Sequence, residues 1–306
     1  MSMLLDEVTR AARRLAAAGV DTPRGDAEQI AAHVHGVART RLHTVPDAEF
    51  DARFWAGVAR REAREPLQHI TGRAYFRYLE LEVGPGVFVP RPETEVMTGW
   101  AIEQLRAMDA AEPTVVDLGT GSGAIALAIA QEVPRAWVHA VEAQPLAHSW
   151  AGRNIQAAMA RSRPVPRVEL YLADLADALP ELDGAADLVI SNPPYIPDGA
   201  GVAPEVGEYD PPAALWGGPD GLDVVRKLER TAARLLRPDG LVAVEHGCPQ
   251  GAAVYWAFPE TRGWRDTRNH KDLTGRDRFV TARRAATEPA PAAADETSRD
   301  IRAIRA

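Results

Sequence analysis

From residue 114 onward the chain alternates short apolar runs with longer segments whose apolar residues recur at helical spacing. Thr114-Val115-Val116-Asp117-Leu118 is rich in β-branched residues and leads through glycines into Ala124-Ile125-Ala126-Leu127-Ala128-Ile129-Ala130, which reads as a helix. The pattern predicts further strands over 137–141, 168–173, 187–191 and 241–245, with helices over about 145–159, 222–236 and 250–258. Residues 264–269 and 278–282 can pair as an antiparallel edge. Strands that alternate with helices require a mostly parallel sheet with helices on both faces, an α/β architecture. Upstream, Leu4, Leu5, Val8, Ala12, Leu15 and Ala16 mark one helix, with Gly19 as its cap. A second helix starts near Pro23 and turns Ala27, Ile30, Ala31 and Val34 inward; a third covers about 48–64 with Phe50, Phe54, Trp55 and Val58. These three helices can share a small core, and their arginines are expected on a solvated face. Residues 65–72 read as a linker, Tyr75–Phe76 and Leu79–Val83 as a hairpin, and about 93–108 as a helix.

Composition narrows the class. The chain has 306 residues, 46% hydrophobic and 25% charged, as an ordinary globular protein of up to two domains does. Its longest uncharged apolar stretch, around 123–130, is far short of the roughly 20 residues that span a bilayer. The N-terminus has no basic segment followed by a long apolar one, so no secretory signal is expected. A single cysteine, Cys248, excludes an intramolecular disulfide framework and fits a reducing, cytoplasmic setting. No Cys/His group has metal-ligand spacing; His33 and His35 fall on different faces of a helix. The net charge of −8 argues against a broad nucleic-acid-binding face.

The chemistry concentrates at strand ends. The fourth strand ends in Asn192-Pro193-Pro194-Tyr195. Prolines lack an N–H and lock φ, so the preceding carbonyls are held rigidly as free acceptors. With the Asn192 amide and the Tyr195 ring they suit a planar group bearing an NH2. At the first strand Gly119-Thr120-Gly121-Ser122-Gly123 lets the backbone turn tightly and approach a ligand. Its spacing is not that of the dinucleotide fingerprint, and no Gly-Lys-Ser/Thr follows for a triphosphate. Asp117 in that strand needs hydrogen bonds if buried and reads as a loop organiser or ligand contact. Glu142, ending the second strand, has the spacing of a ribose-binding acid. Asp174, ending the third, is well placed for an adenine amino group. All four ends converge on one crevice along the carboxyl edge of the sheet.

These features resemble the class I S-adenosylmethionine-dependent methyltransferases, and within them the peptide chain release factor glutamine methyltransferases (the HemK/PrmC family). The stretches that carry the resemblance are Glu65–Gly72, Phe88-Val89-Pro90-Arg91-Pro92-Glu93-Thr94-Glu95, Asp117–Gly123, Ser191–Ile196 and Glu245-His246-Gly247. It covers nearly everything up to about Arg283, and the Pro-Arg-Pro-Glu-Thr-Glu segment and small helical domain are its most specific marks. The resemblance implies a Rossmann-like methyltransferase fold with a seven-stranded sheet and S-adenosylmethionine as cofactor. It also implies a substrate: the glutamine of the Gly-Gly-Gln loop in class I release factors, methylated on its side-chain nitrogen. Gly119, Thr120, Gly121, Ser122 and Gly123, with Asp117, would cradle the methionine part. Glu142 would hold the ribose, Asp174 and Leu175 would flank the adenine, and Asn192, Pro193, Pro194 and Tyr195 would hold the glutamine; Asn192, Pro193 and Tyr195 would be the catalytic residues, with Asn192 touching the cofactor as well. Two departures stand out: Glu142 replaces the family's frequent Asp, and Leu175 offers packing where relatives can stack a ring.

The implied division is a helical substrate-recognition domain over 1–72, a hairpin linker over 73–92, a catalytic domain over 93–284 and a disordered tail over 285–306. A monomer that touches neither membrane nor nucleic acid is expected. The rival enzyme is an adenine-N6 methyltransferase on DNA or RNA, since adenine also offers a planar NH2; it would need a basic groove for a flipped base. A silent cofactor-binding scaffold and a hydride-transferring oxidoreductase fit the motifs less well. Arg91 has two readings, a clamp for a carboxylate or an anchor of the domain hinge. Glu245 and His246 either shape the crevice or are structural. Trp216 and Pro211-Pro212 are expected to form a lid.

Overall fold

The computed structural model describes residues 3–45 and 52–286. The helical body comprises α1 (Met3–Ala17), α2 (Pro23–His35), α3 (Ala52–Glu62) and a single short helix α4 (Leu67–Thr71). Val8, Ala11 and Leu15 of α1 are fully buried against Ala27, Ile30, Phe54 and Val58, so this body has a core of its own. Part of the expected third helix, Phe50 included, and the expected tail beyond residue 286 lie outside the described residues. The stretch 65–72 is not a plain linker. Pro66 starts a turn of helix that buries Leu67 and Ile70 in the helical core.

The arginines of this body do not all face solvent. Arg61 is only 7% exposed: its Nε donates to buried Asp26 Oδ2 at 2.7 Å and its Nη1 to Glu205 Oε1 at 3.0 Å. A guanidinium leaves water readily when acceptors already occupy its fork.

A hairpin, β1 (Arg73–Phe76) and β2 (Leu79–Glu82), leads to α5 (Thr94–Ala107). There follow β3 (Thr114–Leu118), α6 (Ala124–Glu132), β4 (Trp137–Glu142), α7 (Pro145–Arg161), β5 (Val168–Leu172) and β6 (Ala186–Ser191). The rest is a single turn α8 (Pro204–Gly207), then α9 (Asp223–Leu235), β7 (Leu236–Glu245), α10 (Gly251–Ala257), β8 (Trp264–Lys271) and β9 (Asp277–Arg284). Seven strands form one sheet in the order β5-β4-β3-β6-β7-β9-β8. The pairs from β5 to β7 are parallel, while β9 runs antiparallel to both β7 and β8.

Strand β7 begins at Leu236 rather than at Leu241, because Leu236 pairs with Ala186 before a register shift to Leu188–Leu241. Apolar side chains cover both faces, Ile125 and Ile129 of α6 on one and Val225 and Leu228 of α9 on the other. The order reverses between β3 and β6: the chain winds outward through β4 to β5, then returns to the other side of β3. Loops leaving the two strands diverge there and open a crevice at their carboxyl ends. No helix among the described residues is long and apolar enough to cross a membrane.

Candidate active site

The glycine turn follows directly from its residues. Gly119 (φ 77°) and Gly121 (φ 59°) adopt the left-handed backbone that only glycine takes without strain. A Cβ at either would meet nothing within 4 Å, so this face of the loop lies open to a ligand. Asp117 is fully buried behind the loop. Its Oδ2 accepts from Thr120 Oγ1 (2.6 Å) and the Ala126 N–H (3.1 Å), while Oδ1 has no partner. Burial pushes this carboxyl up to about 7, against the pull of its two donors. Glu142 accepts the N–H of Gly121 on Oε2 (2.9 Å) and of Gln144 on Oε1 (2.8 Å). Each carboxylate oxygen keeps a further lone pair for a ligand. Asn154 of α7 donates to the carbonyls of Ser122 (2.9 Å) and Glu82 (3.0 Å), tying the loop to the hairpin.

At the neighbouring strand end Ser191 Oγ donates to the Leu118 carbonyl at 2.6 Å and locks β6 to β3. Asn192 Nδ2 donates to Thr94 Oγ1 at 3.2 Å. That bond uses one of the two amide hydrogens and orients the group, leaving Oδ1 to accept from a ligand. The Tyr195 hydroxyl donates to Glu245 Oε1 at 3.2 Å, and Gln250 Nε2 holds the Tyr195 carbonyl at 2.8 Å. Glu245 is 1% exposed and its Oε2 is unpartnered. Burial raises its carboxyl to about 7, although Thr94, Arg278 and Tyr195 pull it down. Burial raises the Tyr195 phenol too, and the adjacent Glu245 adds to the shift.

Both strand ends open into one cavity of about 540 Å³. Gly119–Ser122, Glu142, Asp174 and Leu175 line one end, and Asn192, Pro194, Tyr195 and Glu245 line the other. Asp117, Gly123 and Pro193 do not line it: Asp117 and Pro193 are buried behind the wall, and Gly123 caps α6. Asp174 is exposed, with Oδ1 turned to the Ala176 N–H at 2.9 Å, and Leu175 is half-buried. Trp216 also stays out of the cavity and is bridged through its backbone to Ile196, whereas Pro211, Ala213 and Leu215 do line it. Arg91 lines the cavity and is held there, with Nη2 on buried Asp210 Oδ2 at 2.6 Å and its guanidinium over the Phe88 ring.

Several lining groups have no role readable from the sequence, among them Thr94, Arg278, Val202 and Val206. Thr94 belongs to the Pro-Arg-Pro-Glu-Thr-Glu segment. The valines lie in a Pro/Gly-rich stretch without periodicity, where sequence offers no signal.

The cavity suits a nucleoside carrying a cationic amino-acid tail: an open glycine face, a carboxylate with free lone pairs one strand over, and the right size for a small ligand. Such a site at the switch point of this sheet is that of a Rossmann-like enzyme that binds a nucleoside, and the relatives give its class: the chain is a methyltransferase, of a kind whose methyl donor is S-adenosylmethionine. Residues 7–72 match the PrmC N-terminal domain model and residues 81–208 the methyltransferase small domain model. The chain is 62% identical over 287 residues (93% of this chain, 99% of the relative) to a release factor glutamine methyltransferase of Streptomyces coelicolor. It is 50% identical over 290 residues (94% and 99%) to one of Mycolicibacterium smegmatis. A 4-amino-L-phenylalanine/4-methylamino-L-phenylalanine methyltransferase of Streptomyces pristinaespiralis is 43% identical over 270 residues (86% and 89%). The chain belongs to the release factor glutamine methyltransferase family.

Proposed function

We propose that this enzyme methylates the side-chain amide nitrogen of the glutamine in the Gly-Gly-Gln loop of class I peptide chain release factors, as a cytoplasmic monomer. The observation that carries the reading is the Asn192–Thr94 hydrogen bond, which leaves the Asn192 oxygen as an acceptor in the cavity that the glycine turn enters. Bound S-adenosylmethionine supplies a methyl group on a sulfonium, whose sulfur leaves as a neutral thioether. Gly119–Ser122 would hold its amino-acid part, Glu142 the ribose hydroxyls, and Asp174 and Leu175 the adenine.

An amide nitrogen is a weak nucleophile because its lone pair is delocalised. Asn192 Oδ1 and the Pro193 carbonyl accept its two hydrogens, orient it in line with the methyl, and stabilise positive charge as it develops. Pro193 is buried and does not line the cavity, so the acceptor role rests first on Asn192 Oδ1, and the Pro193 carbonyl joins it only where the bound glutamine reaches it. Tyr195, held by Glu245 and Gln250, packs against the amide plane. The methylated nitrogen is strongly acidic and gives up its extra proton without a strong base. Residues 1–72 form the substrate-recognition domain, 73–92 the linker and 93–284 the catalytic domain.

The test offers labelled S-adenosylmethionine with a class I release factor, the same factor with its loop glutamine changed to glutamate, 4-amino-L-phenylalanine, or duplex DNA. Label on the intact release factor alone is expected. Label on DNA or on the aryl amine in its place overturns the substrate.

A further inference from the structure

Beyond the Asn-Pro-Pro-Tyr segment, the chain that runs on to α9 lines the same cavity with Ile196, Val202, Ala203, Val206 and Leu215. Besides the 3-10 turn Pro212–Ala214, its regular structure near the cavity is the four-residue helix α8, too short to hold its own position. Val202 and Val206 line the cavity, and Glu205 between them turns to the helical body. There Arg64 grips the Glu205 carboxylate with two bonds, Nε at 2.6 Å and Nη2 at 2.7 Å, and Arg61 Nη1 adds a third at 3.0 Å. Arg61 is itself fixed by Asp26 of α2 and by the Glu65 carbonyl. Further along the same wall the Tyr209 hydroxyl donates to the Ala63 carbonyl at 2.8 Å, and Asp210 takes Arg91. Among the described residues, the side-chain hydrogen bonds that tie Glu205 and Tyr209 to the helical body thus come from the C-terminal end of α3 and the turn after it.

We propose that Glu205 is a positioning residue: through Arg61 and Arg64 the helical body sets the wall that faces the substrate glutamine. The identity of that substrate rests on the function proposed above; the grip itself does not. The apolar wall made by Val202, three residues before Glu205, and Val206, next to it, moves with it, so loosening the carboxylate widens the slot for the glutamine. The cofactor end is built from β3, β4 and the loop after β5 and is left untouched. Burial pushes the Glu205 carboxyl up, but the hydrogen bonds from Arg64 and Arg61 overcome it and hold it down to about 2, so the grip stays charged throughout the neutral range.

The test compares full-length wild type with Glu205→Gln, Arg64→Met and the double variant, reading amide hydrogen exchange and steady-state kinetics. Exchange over 202–210 should quicken about 10-fold in each single variant, the scale of losing a charge-assisted hydrogen bond. Exchange over 117–127 and S-adenosylmethionine affinity should hold. KM for the release factor should rise about 10-fold with kcat changed less, and the double variant should be no worse than the singles. Unchanged exchange over 202–210, additive effects in the double variant, or equal loosening of both segments overturns the proposal. So does faster exchange with an unchanged KM. A wild type that leaves the release factor unmethylated overturns the substrate reading instead, and the exchange comparison still decides the grip.

Discussion

At the scale of single residues, position alone did not say which polar groups meet the ligand. Asn192 and Asp117 both end strands, yet Asn192 faces the cavity while Asp117 stands behind the loop that it organises. Asn192→Ala removes an acceptor placed for the reacting nitrogen, so turnover should fall by about 10²-fold or more. Affinity for S-adenosylmethionine, measured by calorimetry, should change little; retained turnover would rule out the acceptor role.

The buried acids Asp117 and Glu245 give a pH signature. Their carboxyls lie near 7 in the folded chain, against roughly 4 unfolded. Between those values the folded state holds protons that the unfolded state has released, so stability falls as pH rises through that window. The groups facing Glu245 are Tyr195, Thr94, Arg278 and Glu93, and none of them replaces its proton. Glu245→Gln should flatten the fall in melting temperature between pH 5 and pH 7.5 relative to wild type. An unaltered slope would mean that Glu245 is charged at both ends of that range.

At the scale of elements, periodicity located the helices and strands because each has an apolar face repeating at its own period. It failed where an element is shorter than its period. α4 and α8 are single turns, and each is held by tertiary contacts: Leu67 and Ile70 in the helical core, Glu205 on two arginines. It also missed the early start of β7, whose first residue pairs across a bulge. The antiparallel edge was legible, but not its fastening to α9, where Trp264 Nε1 donates to Glu229 Oε1 at 2.7 Å. Glu229 is only 3% exposed. Trp264→Phe keeps most of the packing and strips that donor from a buried carboxylate, which should cost about 1–3 kcal/mol in chemical denaturation.

At the scale of the whole molecule, two cores divide the labour. The helical core around Phe54 is separate from the two clusters that cover the sheet, and the cofactor end of the cavity draws nothing from it. Phe54 is fully buried, and Phe54→Ala should cost about 3–5 kcal/mol, enough to disorder the small body. Calorimetry should then show S-adenosylmethionine binding intact while transfer to the release factor is lost. Preserved transfer would show that the catalytic domain needs no helical partner.

What the sequence determined by itself is local: which segments are strands, where glycine and proline fix the backbone, and which residue types stand at strand ends. Those properties follow from steric limits on a few neighbouring residues, so they survive without knowledge of the rest of the chain. The tertiary structure alone decided which side of each strand end faces the cavity, which carboxylates lose water, and that α8 hangs from the helical body by Glu205. Those outcomes depend on contacts between residues more than a hundred positions apart, Arg64 with Glu205 among them, and no local pattern encodes them.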